Sequence, residues 1–175
     1  ELEALQDGLL QPTPAVIDRL HADARHLEHL VDDLRDLAQA EAGQLRLNPE
    51  SIDLREAIGE SVASVEAVAA ARQVRLVVSG DATVRVVADR FRVRQILVNL
   101  LDNAVRHAPA GSAVRVDVAL EGSTQVRISI SDEGAGVPEG QLSRIFDRFF
   151  RVDESRDRRT GGAGLGLAIV KQLVT

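Results

Sequence analysis

Apolar residues recur with a helical period from residue 14 to about residue 42. They form two heptad rows and a flanking pair of leucines: Ile17, Ala24, Val31 and Ala38, then Leu20, Leu27 and Leu34, then Leu30 and Leu37. Three apolar positions per heptad suit a helical hairpin or bundle better than a narrow two-stranded coiled coil. Thr13 can cap this helix, Pro14 suits its first turn, and Gly43 ends it. Residues 1–10 indicate the end of a preceding helix, with its leucines on one side.

After this helix the pattern changes to mixed helices and strands. Residues 48–51 indicate a linker. Asp53 predicts a helix N-cap, with Glu56 placed for a capping box. A strongly amphipathic helix runs from Asp89 to about His107. The remaining elements are separated by turn signals: strands at 74–78 and 83–87 around a turn at 80–81, strands at 114–120 and 125–130, a short helix at about 141–146 and a final helix from about residue 164.

The length allows one ordinary domain or a domain plus a short accessory element. The change of pattern divides the chain into a helical segment over residues 1–47 and a mixed helix and strand segment over residues 48–175. The 175 residues are 45% hydrophobic and 27% charged, and no apolar run approaches the roughly 18 residues of a membrane span. The net charge of -6 argues against a general nucleic-acid binder. The absence of Cys excludes a disulfide framework and a thiolate metal site. The absence of Met, even at position 1, predicts that this sequence is part of a longer protein.

One face of the helix that begins at Asp89 is polar. Asn99, Asn103 and Arg106 are spaced i, i+4 and i+7 and share a side, and His107 lies next to the arginine. An amide oxygen is a hard ligand that suits Mg²⁺, and a guanidinium suits phosphate oxygens. The alternative interpretation is a solvated helix face.

Two glycine-containing segments are further candidates for ligand contact. Residues 132–136 follow a strand directly, so the Asp132 carboxylate can accept a hydrogen bond from an amino group such as that of adenine. Glycines there let a flat ligand approach the backbone closely. Residues 161–167 open the last helix and offer N–H groups to phosphate, but they match neither a P-loop nor a dinucleotide fingerprint. The alternatives are an ordinary turn after a strand and a flexible joint before a helix.

A phenylalanine-rich segment lies between these two glycine segments. Residues 145–151 contain three of the four Phe residues in the chain, together with Arg148 and Arg151. The arginines can reach phosphate, whereas the phenylalanines suit a local hydrophobic anchor for the polar stretch that follows.

The order of these motifs closely resembles that of the ATP-binding catalytic region of sensor histidine kinases. Residues 95–107 look like the N box of that family, 132–136 like its first glycine box, 145–151 like its F box and 162–167 like its second glycine box. Residues 30–43 are similar to the second helix of the dimerisation and histidine-phosphotransfer hairpin. The resemblance implies an α/β sandwich of the Bergerat type, with a mixed sheet and helices on one face, preceded by a helical hairpin segment.

The same resemblance implies a role for each matching residue. Asn103 would ligate Mg²⁺ and Asn99 would support that site. The catalytic set would be Asn99, Asn103, Arg106 and Arg151, with both arginines on phosphate. The nucleotide set would be Asn103, Arg106, His107 near adenine, Asp132 on the adenine amino group, Gly134, Gly136, Arg151, Gly162, Gly164, Leu165 and Gly166. Residues 151–162 would form a mobile ATP lid.

The activity implied is that of a protein histidine kinase using ATP and Mg²⁺, with onward transfer to the receiver domain of a response regulator. The parent protein would dimerise through the hairpin and be an inner-membrane sensor whose cytoplasmic portion includes this region. Related ATPases carry a Glu where Asn99 stands, which favours transfer over hydrolysis. The alternatives are a serine kinase of the anti-sigma type and a non-catalytic dimerisation module of the same fold.

Two departures from the family pattern concern the ends of the sequence. His21, His26 and His29 are not followed by an acidic residue, so the phosphoacceptor is expected upstream of Glu1. The family continues through a further strand or two, so the ATP-binding domain is expected to extend beyond Thr175.

Overall fold

The computed structural model describes residues 7–8, 11–80, 84–122, 125–152 and 163–174. Within these ranges the elements are, in chain order, α1 (Pro14–Glu41), β1 (Glu50–Asp53), α2 (Leu54–Ala71), β2 (Arg75–Gly80), β3 (Arg85–Ala88), α3 (Arg90–His107), β4 (Ala113–Glu121), β5 (Gln125–Ser131), a 3₁₀ turn (Glu139–Gln141) and α4 (Gly166–Val174). The helix expected over residues 1–10 falls almost entirely outside the described residues.

The caps expected from the sequence define where the three longer helices begin. Thr13 caps α1 and its hydroxyl accepts from the Val16 N–H at 3.4 Å, while Pro14 occupies the first turn. Asp53 caps α2 and Asp89 caps α3. The predicted caps at Thr13 and Asp53 are confirmed, and so is the start of α3 at Asp89, because each depends on bonds within a few residues of the chain. The capping box expected at Glu56 does not form, however, because the Glu56 carboxylate pairs instead with Arg90 of α3 at 3.2 Å.

Among the described residues, five strands form two separate sheets. In the larger sheet β4 lies centrally, parallel to β2 and antiparallel to β5. In the smaller sheet β1 and β3 pair antiparallel. The expectation that residues 74–78 and 83–87 lie around one turn is therefore wrong in its pairing, because β2 and β3 belong to different sheets. Residues 50–51 are strand, not linker, since Glu50 pairs opposite Ala88 and Ser51 opposite Val87.

Helices α2 and α3 cover one face of the mixed sheet and enclose the main core. Along β4 the valines alternate inward with polar residues outward, which is the pattern of a sheet that is covered on one side. The buried side chains at the centre include Ile58, Leu101, Val105, Val114 and Val116. This arrangement confirms the expected α/β sandwich with helices on one face.

The side of α1 that packs within the chain is narrower than the sequence suggested. Leu37 is 4% exposed and packs with Leu165 and Ile169 at the start of α4. By contrast, Leu27 and Val31 of the two heptad rows are 61% and 64% exposed. The flanking leucines therefore make the internal contact, and the heptad rows present an apolar surface to the outside.

A half-buried ion pair reinforces this contact between α1 and the rest of the fold. The Asp36 carboxylate accepts hydrogen bonds from Arg92 and from Gln95, both at 2.8 Å. Arg92 also donates to the amide oxygen of Gln95 at 2.8 Å, so the three side chains satisfy one another. Since Arg92 and Gln95 belong to α3, this group ties α1 to the N-terminal half of α3.

The expected helix over residues 141–146 is shorter than the sequence suggested. Regular 3₁₀ structure covers only Glu139–Gln141, and a series of turns follows as far as Phe149. Local bonds such as Asp147 N–H to the Arg144 carbonyl hold these turns. Phe149 has a φ of 59°, which is outside the helical region and ends any helical continuation.

Asp89 makes a pH-dependent contribution to stability that follows from its cap. Burial raises its carboxyl pKa, but hydrogen bonds from the backbone N–H groups of Asn48, Arg92 and Phe91 and the nearby Arg92 charge outweigh burial and hold the pKa below its usual range. A lowered folded-state pKa stabilises the fold above the unfolded-state pKa, and this contribution is lost as pH falls through the folded-state pKa.

We therefore expect Asp89→Ala to lower the free energy of unfolding at pH 7 by about 0.5–2 kcal/mol, the usual cost of losing an N-cap. The difference from wild type should shrink as pH drops below the ordinary carboxyl range. Urea titrations at several pH values measure it. A difference that stayed constant down to the acid limit would show that the ionised carboxylate is not what stabilises this helix.

Candidate functional site

The polar face of α3 provides the first wall of the candidate site. Asn99, Asn103 and Arg106 are all partly buried, while His107, the last residue of the helix, is exposed. The Arg106 Nε lies 2.6 Å from an Asp102 carboxylate oxygen one turn earlier. The i, i+4 spacing of this pair of opposite charges is visible in the sequence and is the signal that identifies Asp102.

Residues 132–136 form the second wall, at the end of β5. Asp132 is exposed, and its Oδ1 accepts from the Gly134 N–H at 2.7 Å. A Cβ at Gly134 would lie 2.7 Å from the His107 carbonyl oxygen and 2.6 Å from Asp132 Oδ1. Only glycine fits between these groups, so the first glycine segment rests directly on the C-terminal end of α3. Gly136 has a φ of 71°, which glycine adopts without strain.

The start of α4 forms the third wall. A Cβ at Gly166 would lie 3.1 Å from Asn99 Oδ1, so the helix begins in close contact with the polar face of α3. Leu165 is buried and belongs to the cluster with Leu37 of α1. Gly162 lies outside the described residues, as does the expected lid apart from Arg151 and Val152.

The phenylalanine-rich segment is locked to the second glycine segment. The Phe149 N–H donates to the Gly164 carbonyl at 2.9 Å. A Cβ at Gly164, whose φ is 71°, would lie 2.9 Å from the Phe149 Cα. Side chains between residues 141 and 152 line a cleft of about 590 Å³ that includes Arg148 and Arg151. Gln141 Oε1 is buried beside it with no hydrogen-bond partner among the described residues.

These contacts bring two segments that are distant in the sequence against α3. The loop after β5 meets its C-terminal end, and the start of α4 meets its middle, on the side that carries Asn103. The site thus offers amide oxygens, a carboxylate at a strand end, and the N-terminus of a helix. Amide oxygens are suitable Mg²⁺ ligands, and a helix N-terminus is suitable for phosphate, so the residues present fit a nucleotide with its metal ion.

Among the described residues, no group of three or more His, Cys, Asp or Glu side chains is arranged to hold a metal ion. A metal at Asn103 would therefore draw most of its oxygen ligands from phosphate and water. In the same part of the chain, every helix is too short or too polar to cross a membrane.

Comparison with protein families agrees with this geometry. The model of the histidine kinase-, DNA gyrase B- and HSP90-like ATPase family matches residues 88–175. The signal transduction histidine-protein kinase BaeS of Escherichia coli is 35% identical over 174 residues, which are 99% of this chain and 37% of BaeS. The sensor histidine kinase YkoH of Bacillus subtilis is 35% identical over 162 residues, which are 90% of this chain and 33% of YkoH.

Solved structures show the same fold over nearly the whole chain. The Acinetobacter baumannii histidine kinase AdeS superposes with a TM-score of 0.77 at 30% identity, covering 99% of this chain and 79% of that one. Full-length ShkA in complex with AMPPNP gives a TM-score of 0.75 at 30% identity, covering 94% of this chain and 34% of ShkA. The chain thus spans about a third of the length of the curated relatives named here. The chain belongs to the histidine kinase-, DNA gyrase B- and HSP90-like ATPase family, and within it to the catalytic regions of sensor histidine kinases.

Proposed function

We propose that this chain binds ATP with Mg²⁺ between α3, residues 132–136 and the start of α4, and that it transfers the γ-phosphate to a histidine of the same protein. The proposal is carried by one observation, the close contact of both glycine segments with α3. Gly134 abuts the His107 carbonyl and Gly166 abuts the Asn99 amide, so the glycine segments and the N box share one site. If the motifs did not form one site together, glycine would not be needed at both contacts.

Each residue of the site is assigned a part in binding or charge stabilisation. Asp132 accepts a hydrogen bond from the adenine amino group, and Gly134 and Gly136 shape the slot for the base. His107 lies at the edge of the same slot. Asn103 holds Mg²⁺, supported by Asn99, and the metal ion when bound supplies charge neutralisation at the phosphates.

The phosphates are assigned to the positive groups on the other side of the site. Arg106 reaches them from α3 and Arg151 from the end of the F box, while the glycine segment before α4 offers backbone N–H groups. Gly162, Gly164, Leu165 and Gly166 belong to that segment. Positive groups placed in this way stabilise phosphoryl transfer mainly by positioning and electrostatics.

The exposed heptad rows of α1 favour the histidine kinase over a serine kinase of the anti-sigma type. Leu27, Val31 and Leu34 present an apolar stripe to the outside. Such a stripe on a helix favours packing against other helices. We propose that residues 1–47 are part of a hairpin through which the parent protein forms a homodimer, and that residues 48–175 are the ATP-binding domain. An anti-sigma serine kinase would not need this helix, and a non-catalytic dimerisation module of the same fold would not need the nucleotide site.

The partner and location follow from the same proposal. We assign onward transfer to the receiver domain of a response regulator, and we place the region in the cytoplasmic portion of an inner-membrane sensor. The phosphoacceptor is a histidine N-terminal to this sequence, because His21, His26 and His29 each precede a non-acidic residue. His21 is exposed on α1, as expected for a surface position.

A phosphorylation assay tests the proposed function. With radiolabelled ATP, the full-length protein should acquire acid-labile, base-stable label, whereas residues 1–175 alone should acquire none. Asn103→Ala in the full-length protein should abolish labelling, because Mg²⁺ loses its protein ligand. Asn48→Ala removes an asparagine side chain outside the site and serves as the matched control, which should label normally. Label on residues 1–175 would contradict the placement of the acceptor, and full labelling of Asn103→Ala would contradict the site.

Gly134→Ala tests the contact between the first glycine segment and α3. The new methyl group would overlap the His107 carbonyl oxygen and Asp132 Oδ1, so either the loop or the aspartate must shift. We expect ATP affinity to fall by about tenfold, corresponding to about 1.4 kcal/mol. Calorimetric titration measures it, with Gly140→Ala as the control, because a Cβ at Gly140 meets nothing within 4 Å. Equal affinities for both variants would show that this contact does not shape the site.

A further inference from the structure

The turn between α2 and β2 contacts the C-terminal end of α3 through one side chain. Arg72 donates from Nε to the Val105 carbonyl at 3.1 Å and from Nη2 to the Arg106 carbonyl at 2.6 Å. The guanidinium is partly buried, and it reaches a helix that lies 33 and 34 residues further along the chain. Nothing in the local sequence pattern pointed to this contact.

These two bonds satisfy two of the carbonyls at the end of α3. The last four carbonyls of an α-helix have no donors within the helix. The Ala104 carbonyl is satisfied by the Ala108 N–H, and Arg72 serves the next two. The His107 carbonyl, the last one, lies against Gly134 of the site. A guanidinium at this position also interacts favourably with the negative end of the helix dipole.

Backbone hydrogen bonds hold the same turn to the segment that follows α3. The Gly111 N–H donates to the Gln73 carbonyl at 2.8 Å, and the Arg75 N–H donates to the Ser112 carbonyl at 3.0 Å. These bonds do not depend on any side chain, so they remain when Arg72 is substituted. The contribution of the Arg72 side chain can therefore be separated from that of the turn itself.

We propose that Arg72 is a positioning residue for the nucleotide site. This inference rests on the proposed function, and it adds a residue that touches neither nucleotide nor metal. By holding the Val105 and Arg106 carbonyls, Arg72 fixes the last turn of α3, from which the Arg106 side chain reaches phosphate. The same turn ends in the His107 carbonyl, whose contact with Gly134 sets the spacing between α3 and the loop that carries Asp132.

Arg85 offers a matched comparison within the same chain. It donates from Nη2 to the Ser51 carbonyl at 2.7 Å and from Nε to the Ser51 hydroxyl at 3.1 Å, so it also links two elements through a guanidinium and a backbone carbonyl. That link lies in the β1–β3 sheet, which contributes no residue to the site. A purely structural role for Arg72 predicts that the two arginines behave alike.

The experiment compares Arg72→Met, Arg72→Lys and Arg85→Met in residues 1–175. Calorimetry with ADP and Mg²⁺ measures affinity at a temperature where each variant is folded, and thermal melts without nucleotide measure stability. We expect Arg72→Met to weaken binding about tenfold and Arg72→Lys about threefold, because an ammonium lacks the fork that serves two carbonyls at once. Arg85→Met should bind within about twofold of wild type although its melting temperature also falls.

The outcomes separate this inference from the proposed function. Wild-type affinity in Arg72→Met, with a lowered melting temperature, would make Arg72 structural only and overturn the inference alone. If Arg72→Met does not fold, Arg72→Lys decides, since unchanged binding in that variant overturns the inference and threefold weaker binding supports it. A wild-type chain that binds no adenine nucleotide would overturn both.

Discussion

Asp132→Ala should weaken ATP and ADP binding alike, by about 1–3 kcal/mol, which is the usual cost of removing one partner of a desolvated hydrogen bond. Both nucleotides share the adenine amino group that Asp132 is proposed to bind. The carboxylate stands directly after β5, is exposed, and is oriented by the Gly134 N–H at 2.7 Å. A bound adenine base would shield this carboxylate from water, and a charge-assisted hydrogen bond is strong when water is excluded. Calorimetric titration of residues 1–175 with each nucleotide measures the loss.

Arg106→Ala should cost less than Asp132→Ala, since water, salt and Mg²⁺ compensate for part of a phosphate contact near solvent. Glu133→Ala is the matched control, because Glu133 is the adjacent exposed carboxylate and pairs loosely with Arg115 at 3.7 Å. It should bind both nucleotides as wild type does.

Guanine nucleotides sharpen the test of Asp132. GTP carries a carbonyl where ATP carries the amino group, so an acceptor at this position disfavours it. Wild type should therefore prefer ATP, and Asp132→Ala should lose most of that preference. Equal affinity of the wild type for ATP and GTP, or the same ratio in the variant, would mean that another residue reads the base.

Leu101→Ala should produce the largest loss of stability, about 2–5 kcal/mol in the free energy of unfolding. Leu101 is 0% exposed and lies at the centre of α3, facing the core beneath the mixed sheet. Alanine there removes most of the buried side chain and leaves a cavity that close-packed neighbours fill only in part. Denaturant titration of residues 1–175 measures the change.

Leu47→Ala is the control for this substitution. Leu47 is 60% exposed and precedes β1, so the same chemical change should alter stability by less than about 0.5 kcal/mol. If the two variants lost similar stability, α3 would not pack against the sheet as described here.

The positions at which the helices begin could be predicted from local chemistry. Thr13 and Asp53 each cap a helix as expected from the chain alone, and α3 begins where the sequence placed its start, with Asp89 as its cap. A cap is formed by a side chain and an N–H two or three residues later, so nothing distant can displace it easily. The alternating valines of β4 were likewise sufficient to predict a strand with one buried face.

The pairing of the strands could not be predicted from the sequence. A turn at residues 80–81 suggested that β2 and β3 are neighbours, but β2 pairs with β4 and β3 with β1. The alternation of residues along a strand indicates which face of the strand is buried, but it does not indicate which other strand pairs with it. In the same way, the stripe on α1 was recognised, but only packing against α4 selected Leu37 and Leu30 from it.

The sequence by itself determined the family and the order of the motifs, and it predicted the residues that are proposed to face a nucleotide, because residue types and their spacing are local properties. The tertiary structure alone decided which of them meet. Gly134 touches His107 and Gly166 touches Asn99 because the sheet and helices bring separate segments within van der Waals distance. The contact made by Arg72 is also decided by the tertiary structure. Its two hydrogen bonds join residues more than 30 positions apart in the chain, and they form only when α2 and α3 pack side by side.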